Sequence, residues 1–270
     1  MWILYAFGSA FFAGLTAVLA KCGIEHTNSH LATALRTIVV LIFSWIMVGI
    51  VGSFDTIHTI THKTFLFLIL SGISTGASWL CYFKALQLGN INKVTAIDKT
   101  SVVLTIILSL IFFKESVTVY KIIGMIILTT GTYLMVEKKE DNKQINNAWL
   151  LYAVLSVIFA SLTTILGKIG ITNIESNLGT AIRTSVVLIM SWIVVLVTHS
   201  QMNMKSIPKK EYFFIVLSGF ATGGSWLCFY RALQSGPASL VTPIDKLSIL
   251  FTILFSYLIF HEKLSKKSLL

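Results

Sequence analysis

Residues 31–46, LATALRTIVVLIFSWI, return almost unchanged at residues 178–193 as LGTAIRTSVVLIMSWI. The same offset of 147 residues aligns residues 3–123 with residues 150–270 without a gap, with about 54 identities in 121 positions. Two further pairs of segments carry the match: SGISTGASWLCYFKALQLG (71–89) with SGFATGGSWLCFYRALQSG (218–236), and TAIDKTSVVLTIILS (95–109) with TPIDKLSILFTILFS (242–256). The chain is therefore an internal duplication.

The composition of both copies is that of a membrane protein. Charged residues make up 12% and hydrophobic residues 55% of the 270 residues, whereas soluble domains carry about 25% charged residues. A transmembrane helix needs about 20 mostly apolar residues. Nine stretches meet this requirement: 3–21, 31–51, 65–86, 93–113, 119–136, 148–168, 178–198, 211–233 and 240–260. None alternates in polarity as a barrel strand would, so the sequence predicts an all-α polytopic membrane protein.

The helix count predicts how the two copies are arranged. The first repeat, residues 1–136, holds five helices, so the second repeat, residues 148–270, enters the membrane in the opposite sense. A polar linker, residues 137–147, joins them, and the other loops are short, which favours consecutive helices as neighbours. The second copy stops at Leu270, where its tenth helix would begin. We therefore expect a ten-helix fold of two inverted five-helix repeats, with helix 10 missing or truncated.

Each copy carries a polar stripe with one aspartate in its fourth helix. Residues three or four positions apart share one face of a helix. The two stripes follow that spacing: Thr95, Asp98, Ser101, Thr105 and Ser109, then Thr242, Asp245, Ser248, Thr252 and Ser256. A charge at bilayer depth is costly and normally faces a partner or a water-filled cavity. We predict that the stripes line a transport pathway, although polar groups also serve only to hold helices together.

Two lysines and two arginines accompany the aspartates. Lys99 and Lys246 directly follow Asp98 and Asp245, and because adjacent residues do not face each other on a helix, each ion is expected to find its partner elsewhere. Arg36 and Arg183, early in the second helix of each copy, are candidate partners for the aspartates. A purely structural ion pair, or side chains that reach the membrane interface, remain alternatives for the arginines.

Aromatic residues follow a small-residue motif in the third helix of each copy. Gly72-xxx-Gly76 and Gly219-xxx-Gly223 have the spacing that lets two helix backbones approach closely. The aromatic residues are Trp79, Tyr82, Trp226 and Tyr230. We include these four in the predicted substrate cavity, with a place in the interfacial aromatic belt as the alternative.

The remaining composition excludes several classes of function. The three cysteines lie in or beside apolar stretches, without a CxxC or Cys/His spacing, so no metal and no cofactor is expected. The net charge of +10 comes from lysines between apolar segments, so it does not indicate nucleic acid. Two aspartates on separate helices also suggest an intramembrane protease, but no GxGD, GxSxG or HExxH motif is present. The sequence does not predict an enzyme.

The ends of the fourth helices point to a known family. FFKE at 112–115 and IFHE at 259–262, in a duplicated five-helix unit, resemble the EamA-type branch of the drug/metabolite transporter superfamily. The IDK triplets at 97–99 and 244–246 look like a subgroup of uncharacterised bacterial members. The resemblance implies a central cavity and alternating access between the two halves. It also implies that Glu115 and Glu262 close the fourth helices, in structural or ion-pair roles.

These observations favour a secondary transporter, an exporter of a small polar or amphipathic metabolite, in the cell (inner or plasma) membrane. Lys and Arg residues near helix ends number twelve on one side and five on the other, which places the amino terminus outside. The expected partners are a small-molecule substrate, the lipid bilayer and protons. Substrate identity and a homodimer stay open. The alternative function is a non-transporting membrane sensor or assembly subunit.

Overall fold

The computed structural model describes residues 1–89, 91–116, 118–134, 148–201 and 207–260. Within these ranges the chain forms helices and no strand. The helices are α1 Trp2–Gly23, α2 Ser29–Val51, α3 His62–Leu88, α4 Ile91–Lys99, α5 Ser101–Phe112, α6 Val119–Leu134, α7 Ala148–Ile171, α8 Ser176–Val197, α9 Lys209–Ser235, α10 Ala238–Lys246 and α11 Ser248–Phe260, with a short 3-10 helix at Ser53–Thr59. The predicted all-α membrane fold is confirmed.

Eight spans in the described ranges are long and apolar enough to cross a membrane, when α4–α5 and α10–α11 each count as one. The fifth predicted helix corresponds to α6, whose described apolar stretch, Val119–Gly131, is shorter than the other spans. The predicted linker at 137–147 and the predicted start of a tenth helix lie outside the described residues. The same holds for Glu262.

The fourth and ninth predicted helices are each interrupted, which corrects the expectation that they are continuous. The N–H of Thr100 donates to the carbonyl of Ile97 at 2.9 Å, and the N–H of Leu247 donates to Ile244 at 3.0 Å. Bonds three residues apart are those of a tighter 3-10 turn. Both interruptions directly follow an IDK triplet.

The two repeats interleave instead of standing side by side. The most extensive contacts join α1 to α9 and α7 to α3, so the first helix of each repeat packs on the third helix of the other. The helices α2 and α8 pack together, and each also contacts the third helix of the opposite repeat. The expectation that consecutive helices are the main neighbours is therefore wrong. Short loops limit the distance between helix ends but do not select the packing partner.

The small-residue motifs explain two of these contacts. A Cβ at Gly72 would lie 2.7 Å from Cβ of Val186 on α8, and one at Gly219 would lie 2.6 Å from Cβ of Val39 on α2. The second glycine of each motif is equally crowded. The packing role predicted for these motifs is confirmed.

The two ends of the bundle are packed to different extents. We call the side on which α1 begins the amino-terminal face, and the other side the opposite face. A core of nine buried residues lies towards the amino-terminal face: Ala6, Leu68, Ile171, Ile174, Tyr230, Ala232, Leu233, Ala238 and Val241. The equivalent cluster towards the opposite face has three buried members among the described residues, Ala85, Val94 and Ala153. In the described part of the chain, the buried core is thus larger at the amino-terminal face.

Candidate functional site

Asp98 is held by a pair of serines on two neighbouring helices. Ser156 of α7 donates from Oγ to Oδ1 of Asp98 at 3.2 Å. Ser78 of α3 donates to the carbonyl of Ser156 at 3.2 Å, and the two serine hydroxyl oxygens lie 3.3 Å apart. Serine is small enough to leave room for the close approach of α7 to both α3 and α4. The result is an Asp–Ser–Ser chain across three helices.

Asp245 has the same arrangement with the repeats exchanged. Ser9 of α1 donates to Oδ1 of Asp245 at 2.5 Å. Ser225 of α9 donates to the carbonyl of Ser9 at 3.1 Å. Each aspartate therefore accepts a hydrogen bond from the first helix of the other repeat. The two chains connect the halves of the molecule at equivalent points.

The lysines of the IDK triplets lie close to the aspartates. Nζ of Lys246 lies 3.7 Å from Oδ2 of Asp245, which corrects the expectation that neighbours in sequence cannot pair. Both residues belong to α10, so the pair forms because the long lysine side chain reaches back to the neighbouring carboxylate. Lys99 lies within electrostatic reach of both Asp98 and Lys246. The two triplets thus approach each other.

The rest of the predicted stripes form bonds within their own helices. Thr105 donates to the carbonyl of Ser101 at 2.8 Å, and Thr252 donates to the carbonyl of Ser248 at 2.9 Å. Thr105 is buried, whereas Ser101, Ser248 and Thr252 are half-buried. A cavity of about 440 Å³ borders both triplet lysines and is lined mainly by apolar residues of α5, α6, α10 and α11. It does not include the four stripe residues.

Arg183 lies in a cage of aromatic and hydroxyl groups. Its Nε donates to Ser71 Oγ at 3.0 Å, and its Nη2 donates to Thr75 Oγ1 at 2.6 Å. The guanidinium carbon lies 5.1 Å from the ring centre of Trp226 and 4.8 Å from that of Tyr230. The side chain is buried, and Nη1 has no hydrogen-bond partner. The structure thus pairs Arg183 with neutral groups and not with an aspartate.

The equivalent arginine of the first repeat is in different surroundings. Arg36 is half-buried, and in the described ranges its side chain has no hydrogen bond, ion pair or aromatic contact. Trp79 and Tyr82 are also half-buried, and the Tyr82 hydroxyl lies 3.5 Å from Thr95 Oγ1. In the described ranges, aromatic and hydroxyl groups therefore do not enclose Arg36 as they enclose Arg183.

Glu115 joins three elements at the amino-terminal face. It accepts hydrogen bonds from the N–H groups of Ala238 and Ser239 at 2.7 and 3.1 Å, and from the Ser239 hydroxyl. Nζ of Lys168 lies 3.2 Å from Oε1 and also donates to the carbonyl of Gly236 at 2.8 Å. A carboxylate at the start of α10 also complements the helix dipole.

These contacts determine the direction in which the pKa of Glu115 is shifted. Burial by itself raises the pKa of this carboxyl group, but the hydrogen bonds from Ser239 and Ala238 and the charge of Lys168 outweigh it. The pKa therefore lies below its ordinary value. Glu115 stays ionised at neutral pH and keeps its contacts with α10.

A glutamine reinforces the same face. Nε2 of Gln234 donates to the carbonyls of Ile171 and Ile174, at 2.8 and 2.5 Å, and so connects the end of α9 to the end of α7. Its equivalent on the opposite face, Gln87, is exposed and has no hydrogen bond to the described part of the chain.

Among the described residues, no group of three or more His, Cys, Asp or Glu side chains is placed to hold a metal ion.

Residues 1–137 and again residues 147–270 match the sequence profile of the EamA-like transporter family. The chain belongs to the EamA-like transporter family. This membership confirms the resemblance predicted from the fourth helices, while the IDK subgroup stays a prediction. The protein is a multi-pass membrane protein of a transporter family, with small-molecule substrates.

Several relatives of this EamA-like protein carry transporter names. An "Uncharacterized transporter in cobO 3'region" from Sinorhizobium sp. is 40% identical over 134 residues, 50% of this chain and 95% of that protein. The uncharacterized transporter YxxF of Bacillus subtilis is 23% identical over 161 residues, 58% of this chain and 50% of that protein. A solved crystal structure with 14% identity superposes with a TM-score of 0.75, covering 99% of this chain and 91% of that one, which supports the fold alone.

Sequence reasoning missed the serines that hold the aspartates. Ser9 and Ser156 lie at equivalent positions of the first helices, and Ser78 and Ser225 at equivalent positions of the third. Their signal was present, because each is a polar residue in an apolar helix that both copies keep. The sequence did not say which of many such hydroxyl groups faces a carboxylate.

Proposed function

We propose that this protein is a secondary transporter whose two repeats exchange roles during the transport cycle. The difference between the two faces carries the proposal. Gln234 and Glu115 connect helices at the amino-terminal face, while Gln87, the equivalent of Gln234, is exposed. Because the repeats align without a gap and both carry this glutamine, the opposite face has a residue that can form a similar connection. A protein that closes one face and opens the other alternates access to its centre.

The proposed cargo is a small polar or amphipathic metabolite moved out of the cell across the cytoplasmic membrane. The transporter names of the relatives support transport in general, and the direction follows the family resemblance. The excess of lysines on the opposite face supports an amino terminus outside the cell.

Asp98 and Asp245 are the proposed proton carriers. Each lies in a membrane span, accepts a serine hydroxyl and has a lysine beside it. Protonation of the carboxyl group removes its attraction for the lysine and changes the charge that the serine hydroxyl faces. Such a change at the point where the repeats meet provides a physical link between a proton and the exchange of conformations.

Metabolite profiling of cells and medium tests this function. Cells that express the protein are compared with cells that express Asp98→Asn plus Asp245→Asn, and with a matched control, Asp55→Asn, which removes an exposed carboxylate outside the spans. We expect a metabolite to be enriched in the medium with the wild type and the control but not with the double variant. Equal profiles for all three, with every protein folded in the membrane, contradict the proposal.

A non-transporting role as a sensor or assembly subunit is the second candidate, and one observation favours it. Thr105 and Ser109 of the first stripe are only 2% and 0% exposed, as in a dry structural bundle. Cysteine substitutions at these two positions, labelled with a small maleimide in membranes, separate the candidates. Labelling supports a water-filled pathway, whereas protection of both throughout the pH range supports the structural role.

A further inference from the structure

The charges inside the membrane do not balance. If residues within four positions of a span's end are left aside, the described spans contain six charged residues: Arg36, Asp98, Lys99, Arg183, Asp245 and Lys246. The two lysines lie near the two aspartates, with a separation of 3.7 Å for Asp245 and Lys246. The two arginines remain without a carboxylate partner. A charge in this environment is costly unless it is paired.

One of these arginines has hydrogen-bond and aromatic partners, and the other has none in the described ranges. Arg183 has hydrogen bonds to Ser71 and Thr75 and lies against two aromatic rings. The corresponding hydroxyls of the other repeat belong to Ser218 and Thr222, and neither accepts a hydrogen bond from Arg36; each donates to a backbone carbonyl of α9.

The aromatic positions differ as well. Tyr230, beside Arg183, is replaced by Phe83 in the first repeat, and Phe83 has no hydroxyl group and packs against His30 with ring centres 4.1 Å apart. Arg36 is therefore a half-buried side chain whose five donors have no hydrogen-bond partner in the described ranges.

We propose that Arg36 binds a carboxylate group of the transported molecule. This inference rests on the proposed transport function and specifies the substrate class as organic acids, including zwitterions that carry a carboxylate. The planar guanidinium group matches a carboxylate with two parallel hydrogen bonds, which an ammonium group does not. A bound anion also offsets one of the two excess positive charges inside the membrane.

Thermal unfolding of the purified full chain in detergent tests the inference. The probes are sodium benzoate and sodium acetate, with benzamide as the uncharged counterpart of benzoate, and sodium chloride and sodium phosphate at equal ionic strength. We expect both carboxylates to raise the unfolding temperature more than chloride does, and benzamide to have no such effect. Stabilisation by phosphate alone, or no advantage of either carboxylate over chloride, overturns the proposal.

Variants assign the effect to Arg36. We expect Arg36→Gln to weaken the apparent affinity for benzoate about tenfold or more, the loss of a charge-assisted hydrogen-bond pair, and Arg36→Lys to weaken it less. Lys84→Gln removes an exposed cation at the end of α3 and leaves the affinity unchanged. Unchanged benzoate affinity in Arg36→Gln, or a loss only in Arg183→Gln, overturns the assignment.

Two experiments together distinguish this inference from the proposed function. If metabolite profiling identifies a substrate without a carboxylate, transport stands and the role of Arg36 fails. If benzoate binds through Arg36 but profiling shows no transported metabolite, the anion site stands and the transport function fails.

Discussion

Gln234 and Gln87 occupy equivalent positions in the two repeats, yet one connects two helices and the other is exposed. The arginines differ in the same way, since Arg183 is enclosed and Arg36 is half-buried without a partner in the described ranges. By contrast, Asp98 and Asp245 have equivalent serine partners. The centre of the molecule is therefore nearly symmetric while its ends are not. Equal residues do not ensure equal environments when different helices pack around them.

The largest effect on the difference between the two faces is expected from a substitution of Glu115. Glu115→Gln leaves Lys168 largely buried without its carboxylate partner and weakens the contacts to α10. Loss of one partner of a buried ion pair costs about 3–5 kcal/mol. The unfolding temperature should fall, and a cysteine at Leu233, in a background without the native cysteines, should react faster with maleimide. An unchanged reaction rate would show that Glu115 does not hold this face closed.

The pH dependence gives a second readout for the same residue. The pKa of Glu115 is lowered in the folded protein, from an ordinary value of 4.5. Its stabilising contribution is therefore complete above the unfolded pKa and is lost as the pH falls through the lower, folded pKa. The stability difference between wild type and Glu115→Gln should be constant near neutral pH and shrink under strong acid. A difference that already disappears between pH 7 and pH 6 would contradict this assignment.

An intermediate effect is expected at the symmetric centre. Ser9→Ala and Ser156→Ala each remove a hydrogen bond to an aspartate, and bonds to charged groups contribute about 1.5–3 kcal/mol. The two variants should lower the unfolding free energy by similar amounts. Clearly unequal losses of unfolding free energy in the two variants would mean that the centre is asymmetric as well.

The smallest effect comes from the two glutamines. Gln234→Ala leaves two backbone carbonyls of the α7 end without their donor and should cost about 1–2 kcal/mol. Gln87→Ala, the matched control, alters an exposed side chain and should change stability by less than about 0.5 kcal/mol. Chemical denaturation of both variants measures the difference. Equal losses would remove the distinction between the two faces.

Part of the site was predictable from the sequence. The repeat register singled out both aspartates, both lysines and both arginines, because each is identical in the two copies and lies in an apolar stretch. The pairing among them was not predictable. Lys246 reaches its own neighbour Asp245, and Arg183 contacts hydroxyl and aromatic groups of α3 and α9. Side-chain partners depend on which helices are adjacent, and no local pattern records that.

The amino-acid sequence by itself determined the membrane class, the duplication and the approximate limits of the spans. These properties follow from hydropathy and from identity at a fixed offset, which are local or directly countable. Only the tertiary structure decided that the repeats interleave, that serines of one repeat bind aspartates of the other, and that one face is more tightly packed. The two repeats share the triplet aspartates and lysines, the two arginines and the serines that hold the aspartates. The environments of the two arginines differ because different helices and side chains pack around them.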